Sequence, residues 1–550
     1  MTKSTVTNNN RSPFLLPFLV LMGLLLLGCD AVRSQPDNPL SAPPTAQLVA
    51  SPAAVLPEPP ATGAVRARTW HEAPPCQNQP QDLMAWRSEL ADYRQSEATS
   101  RQFQTYLNQL RRYTPLFHDL NPDELAARLA IPDSAGGEDL RQRTLTVLWL
   151  NFINERLNRA TEITTDASGP FTLAELMSDL RQAQPGSANF EQLLALIDEV
   201  SAGHHISWPV CSRLIYRHGP VVRESLWSEQ GFFDKDQALP DVPLGVTTFS
   251  PNLAHLVIET GRNDSAGGPL YLVDLNKDKV LNLNEHVSLP SFTGVSSLKV
   301  NAWHYDNHHL LLVNEDDEVA IWLDLVADEY VPLTLGLDTH QMSPPREFRL
   351  SPDGTGFTFI TFNHETKYTN LHWYSLTDND ATLMTTLPIT RGRLGGFSFS
   401  PTSQQAAYIV NKGRRGQGRS QELHLLDLKN RQSVVLVSGN LGPTQPVWSP
   451  DGQHIAFVRK SVDQPDLARP DAPHLLGDIW IVSTMTGETT QLTFLNAIRQ
   501  PPVWSPAGRI LAFVTDDGQI GLVSVDEPGQ AWRVETDLIL PQHMKIGFVP

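Results

Sequence analysis

Val447-Trp448-Ser449-Pro450-Asp451-Gly452, followed after two residues by Ile455-Ala456-Phe457-Val458, returns as Val503-Trp504-Ser505-Pro506-Ala507-Gly508 followed by Ile510-Leu511-Ala512-Phe513-Val514. Each copy reads as a short strand, a tight turn at the Asp-Gly position and a second apolar strand. Further copies are Phe249-Ser250-Pro251, Leu350-Ser351-Pro352-Asp353-Gly354 and Phe399-Ser400-Pro401. A degenerate copy keeps the length, with Trp303-His304-Tyr305-Asp306-Asn307 before Leu310-Leu311-Leu312-Val313. Taking Ser250, His304, Ser351, Ser400, Ser449 and Ser505 as anchors, the steps are 54, 47, 49, 49 and 56 residues. Six copies at that period predict six repeats of one supersecondary unit.

Behind each copy lies a third strand: Tyr271 to Leu275, Ile321 to Leu325, Leu371 to Tyr374, Leu423 to Leu428, Ile479 to Val482 and Ile520 to Val523. An outer strand such as Thr489 to Thr493 completes four antiparallel strands per repeat. One such unit cannot bury both faces, and radial packing against its neighbours solves that. The repeat resembles the TolB-type motif, which implies an all-β six-bladed propeller over residues 244–550. TolB carries a small α/β domain before its propeller and is soluble in the periplasm, so only the propeller is carried over.

Upstream, residues 81–206 change to helical spacing. Leu83, Trp86, Leu90 and Tyr93, then Phe103, Tyr106, Leu107 and Leu110, recur at steps of mostly three and four. Asn121-Pro122-Asp123-Glu124 reads as a helix start. Further helices are expected over Leu145 to Leu157, Leu173 to Leu180 and Phe190 to Val200. This gives a separate all-α domain over 70–220, with a proline-bearing connector over 221–243.

The first 28 residues carry Lys3 and Arg11, no acid, and an apolar run from Phe14 to Leu27, the pattern of an export signal. Leu26-Leu27-Gly28-Cys29 resembles the lipobox of bacterial lipoproteins, which implies cleavage after residue 28 and acyl chains on Cys29. Residues 29–69, rich in Pro, Ala and Ser, then form a tether between the membrane and the folded part. The expected location is extracytoplasmic, anchored by lipid.

The whole chain has 42 Lys plus Arg against 60 Asp plus Glu, and a net charge of −18. Without Lys3 and Arg11 the balance becomes about −20, which argues against generic nucleic-acid binding. With Cys29 committed to lipid, Cys76 and Cys211 remain as an even pair: either a disulfide or two unrelated thiols.

Catalytic motifs are missing: there is no Gly-x-Ser-x-Gly elbow, Walker loop, His-Glu-x-x-His or CxxC pair. The residues past the last repeat leave no room for a catalytic domain. Asp274 to Glu285 matches EF-hand ligand spacing, but Lys279 stands where that loop needs Gly, and a hairpin is the better reading. The pairs His204-His205 and His308-His309 point to opposite faces of a strand, so neither supplies two ligands. The expectation is therefore no enzyme, no cofactor and no metal.

The remaining lead is loop length. Connections between second and third strands are long at Glu259 to Pro269, Asn411 to Gln421 and Arg459 to Gly477. They emerge beside the links between repeats, around one mouth of the channel. Lys412, Arg414, Arg415 and Arg419 lie in one of these loops, and Arg346, Arg391, Arg393 and Arg499 in the links. Either they form a positive mouth for a protein or anionic glycan partner, or they are ordinary solubilising charge. The function expected is a non-enzymatic binding or scaffolding lipoprotein. The alternative is a propeller enzyme, hydrolase or lyase, acting on envelope polysaccharide or peptide.

Overall fold

The computed structural model describes Trp70 and residues 79–549 apart from short segments, the longest being 261–267, 288–297, 413–419, 461–475 and 535–545, together with Ala54–Val55. The signal, Cys29 and nearly all of the expected tether lie outside the described residues. Ala54–Val55 pairs in parallel with the outer strand Gln432–Gly439.

The helical part comprises α1 (Leu83–Leu90), α2 (Glu97–Tyr113), α3 (Pro122–Ala130), α4 (Gly137–Ile153), α5 (Leu173–Gln182) and α6 (Ala188–Ser201). A small sheet of Glu162–Thr165, Ser168–Thr172 and Ile206–Trp208 accompanies them. Local sequence sets the helix starts. Asn121 and Thr172 each form a capping box with the Glu three residues on, and Asp82 and Ser187 cap α1 and α6. The helix α4 is buried all round from Arg143 to Ile153, which is why its sequence shows no one-sided stripe. It is the axis on which Trp86, Phe103, Phe117, Leu125, Phe190 and Ile197 pack.

Among the described residues the β part forms seven units of four antiparallel strands, one of them extended by Ala54–Val55 as a fifth, parallel strand, where six were expected. Blades 2 to 7 are the six sequence repeats, starting at Val246, Lys299, Arg346, Leu394, Val447 and Val503. Blade 1 is built from Ser212–His218, Val221–Ser228 and Gly231–Ala238, with Ile546–Val549 from the other end of the chain as its first strand. Residues 221–238 are thus two strands rather than a connector, and 212–218 belong to the propeller rather than to the helical domain. The physical reason for the miscount is that blade 1 receives its first strand from far away in sequence. It therefore has no first turn, and the Ser-Pro-Asp-Gly signature that marks the other blades has nowhere to occur.

The ring closes through seven apolar clusters, one per blade pair. Blades 1 and 2 meet through Ile215, Val222, Leu256 and Ile258. Blades 7 and 1 meet through Trp532, Leu522, Tyr216 and Phe548. The other five junctions are formed in the same way. Tryptophans at the ends of first strands add hydrogen bonds between blades: Trp303 Nε1 donates to Thr248 O (3.3 Å), Trp448 to Ser398 O (3.2 Å) and Trp504 to Val447 O (3.0 Å).

Candidate functional site

In an antiparallel blade the turns after the first and third strands share one face. The second-to-third loops and the links between blades share the other. The first turns are built alike. Ser351 Oγ donates to Asp353 Oδ1 (2.7 Å) and accepts the Gly356 N–H (3.3 Å); Ser250 likewise donates to Asn252 and accepts the His255 N–H, and Ser449 donates to Asp451 and accepts the His454 N–H. The third residue after this Ser position has positive φ in all six turns: Leu253, Asn307, Gly354, Ser403, Gly452 and Gly508. That conformation explains the recurrent Gly.

The helical domain docks on this turn face. Asn108 Nδ2 in α2 donates to Pro401 O (2.8 Å), Gln109 Nε2 donates to Pro506 O (2.6 Å), and the His118 ring meets Tyr305 edge-on at 5.4 Å. The last turn carries Ala507 where four of the others carry Asp or Asn and the turn of blade 5 carries Thr402. The missing carboxylate is supplied by Glu155, which accepts from Ser505 Oγ (2.9 Å) and from Ser212 Oγ (3.5 Å). Glu155 is buried at φ +54°, just after α4. Burial pushes its carboxyl up to about 7, against the hydrogen bonds and the Arg509 charge that favour ionisation.

A second departure lies in blade 3, where His304 and Asp306 take the places of Ser and Asp. Asp306 Oδ2 lies 2.8 Å from His304 Nδ1 and 2.6 Å from His309 Nδ1, while Oδ1 accepts the N–H groups of His308 (2.8 Å) and His309 (3.1 Å). Burial works against the Asp306 charge, yet the bonds from both imidazoles hold its carboxyl well below the usual carboxylate range. The same bond raises His309. Reading His308-His309 as an isolated pair missed this group, because its partners are the turn residues. The available signal was the replacement of Ser-Pro-Asp-Gly by His-Tyr-Asp-Asn, with a second His five positions on.

Of the residues expected at the mouth, Arg346 is exposed at the start of the first strand of blade 4, on the face opposite the helical domain. Lys412 ends the second strand of blade 5. Arg391, Arg393, Arg414, Arg415, Arg419 and Arg499 lie outside the described residues, as does Cys76. Cys211 is half-buried against the cluster of blades 7 and 1, its N–H donating to Trp227 O (2.8 Å). Asp274 and Lys279 flank a hairpin turn, as expected. Among the described residues no helix is long and apolar enough to cross a membrane.

No family model matches the chain. The curated "Uncharacterized peptidase YuxL" of Bacillus subtilis (strain 168) is 36% identical over 73 residues, 13% of this chain, so the match spans about a tenth of that relative's length. Similar solved structures include TolB from Acinetobacter baumannii (15% identity, 64% of this chain and 73% of that one, TM-score 0.32). An oligogalacturonate lyase in complex with manganese is also similar (12%, 56% and 96%, 0.33), as is dipeptidyl peptidase 4 from Porphyromonas gingivalis (11%, 63% and 57%, 0.37). The fold is a β-propeller, an assignment that rests on the sheets and their closure described above, and TolB structures are among those similar to it. The expectation that the chain is not an enzyme is corrected: the curated relative is described as a peptidase, and the similar structures include a lyase and a peptidase. The lack of a familiar motif does not separate binding propellers from catalytic ones.

Proposed function

We propose that this protein is an extracytoplasmic lipoprotein whose propeller binds an anionic partner, an acidic peptide or an anionic glycan, at the mouth opposite the helical domain. The observation that carries the reading is the docking of α2, Glu155 and His118 on the first-turn face. The opposite face is the one on which the first strand of blade 4 begins, with Arg346 exposed. On a chain of net charge −18, a local positive mouth steers anions by long-range attraction. Cys29 bears the acyl anchor and Cys76 pairs with Cys211.

The test is association of the lipid-free protein with arrays of acidic peptides and anionic glycans at low and physiological salt. Binding that weakens with salt and is slowed at least tenfold in an Arg346→Glu, Arg414→Glu, Arg415→Glu variant supports the mouth. Unchanged association in that variant moves the functional surface to the helical domain. Fatty-acid labelling abolished by Cys29→Ala supports the anchor, and equal labelling removes it. A second reading, cleavage of envelope peptide or polysaccharide at the same mouth, is favoured by the segment shared with the relative described as a peptidase. Turnover of a bound array ligand distinguishes it from binding alone.

A further inference from the structure

We infer that His304, Asp306 and His309 form a binding site for one divalent transition-metal ion. Their ligand atoms all lie within 4.8 Å of one another. Two imidazoles and one carboxylate are a donor set for borderline ions such as Zn²⁺. In a tetrahedral site two bonds of about 2.0–2.1 Å hold their ligand atoms about 3.3–3.4 Å apart. Asp306 Oδ2 stands 2.8 and 2.6 Å from the two Nδ1 atoms, so the three ligand atoms already converge and need to part by only about 0.5–0.8 Å to admit the ion.

The surroundings orient each ligand. Both backbone N–H groups that bind Asp306 Oδ1 leave Oδ2 facing the imidazoles. The His309 ring is stacked on Trp322 (5.3 Å, 15°), and its far nitrogen Nε2 faces Asp324 Oδ2 at 3.5 Å, the arrangement in which a carboxylate orients a metal-bound histidine. The His304 ring stands edge-on to the same Trp322 (5.6 Å, 79°). Gly354 makes room for it, since a Cβ there would come within 1.9 Å of His304 Nε2.

The turn itself does not require this chemistry. In blades 2, 4 and 6 one serine hydroxyl holds the same turn. In blade 3 two imidazoles converge on one oxygen, and a cation replaces the two Nδ1 protons that hydrogen bonding would otherwise need. The side chains are 12%, 18% and 28% exposed for His304, Asp306 and His309, so the group is reachable from solvent. Three protein ligands leave coordination positions for water.

The experiment uses the full mature chain without a histidine tag, stripped with a chelator and titrated with Zn²⁺ against a chromophoric competitor. One ion per chain is expected, with affinity at least a hundredfold lower in His309→Ala and about 10–100-fold lower in Asp324→Asn. Asp324 lies outside the ligand set, so that variant tests the site even if changes at the turn impair folding. On the wild-type protein, pulsed electron paramagnetic resonance with Cu²⁺ should show two coordinated imidazole nitrogens. No stoichiometric ion, affinity unchanged in folded His309→Ala, or a spectrum without two imidazoles overturns the inference.

Discussion

Glu155 is the residue whose neighbours most clearly set its chemistry. Its carboxyl stays protonated up to about pH 7 in the folded protein but ionises near 4.5 in the unfolded chain. The folded state therefore binds more protons between these values. Its stabilising contribution is complete below about pH 4.5 and is lost as pH rises through 7. Over that window the loss is of order 3 kcal/mol. Glu155→Gln should flatten this stretch of the stability profile, as read from denaturant midpoints between pH 4.5 and 8; parallel profiles for the two proteins would refute the assignment. Gly452 makes a backbone prediction. Its φ is +70°, and a Cβ would meet only Pro401 Cδ at 3.6 Å, so Gly452→Ala tests conformation without a clash. A loss of about 1–2 kcal/mol is expected in chemical unfolding. An unchanged midpoint would mean that the turn relaxes.

At the scale of the blade, the tryptophans couple elements that local sequence cannot couple. Trp504 is buried, and its Nε1 reaches the Val447 carbonyl of the preceding blade. Trp504→Ala should cost roughly 3–5 kcal/mol through lost packing, and Trp504→Phe only about 1 kcal/mol through the lost hydrogen bond. Thermal unfolding of both variants separates the two contributions, and equal losses would contradict it. The repeat was legible because most of the six first turns reuse the same parts: a Ser hydroxyl at the turn in five of them, an Asp or Asn that accepts from it in blades 2, 4 and 6, and a residue with positive φ in all six. The capping boxes at Asn121 and Thr172 were equally readable, since their partners lie three residues away.

The whole molecule depends on a closure between chain ends. Ile546 and Phe548 are buried and pair with Tyr216 and Leu214 in blade 1. Removing residues 546–550 should leave Ser212–His218 as an open edge beside an uncovered cluster. Unpaired edges invite association, so the truncated protein should unfold at lower denaturant or oligomerise in size-exclusion chromatography with light scattering. A stable monomer with an unchanged midpoint would argue against the closure. Sequence alone determined the six repeats, their strand order and turns, the helical segments and the start of the helix capped by Asn121, because all of these use contacts within a few residues. Only the tertiary structure decided the seventh blade, the carboxylate that Glu155 lends to the turn at Ser505, and the meeting of His304, Asp306 and His309. Ile546–Val549 and Ser212–His218 are over 300 residues apart, as are Glu155 and Ser505. The three residues of blade 3 are close in sequence, but their side chains converge only once the turn places His304 opposite the strand that begins at His309. A one-dimensional pattern records periodicity and local bonding, and carries no trace of which distant groups a closed ring brings face to face.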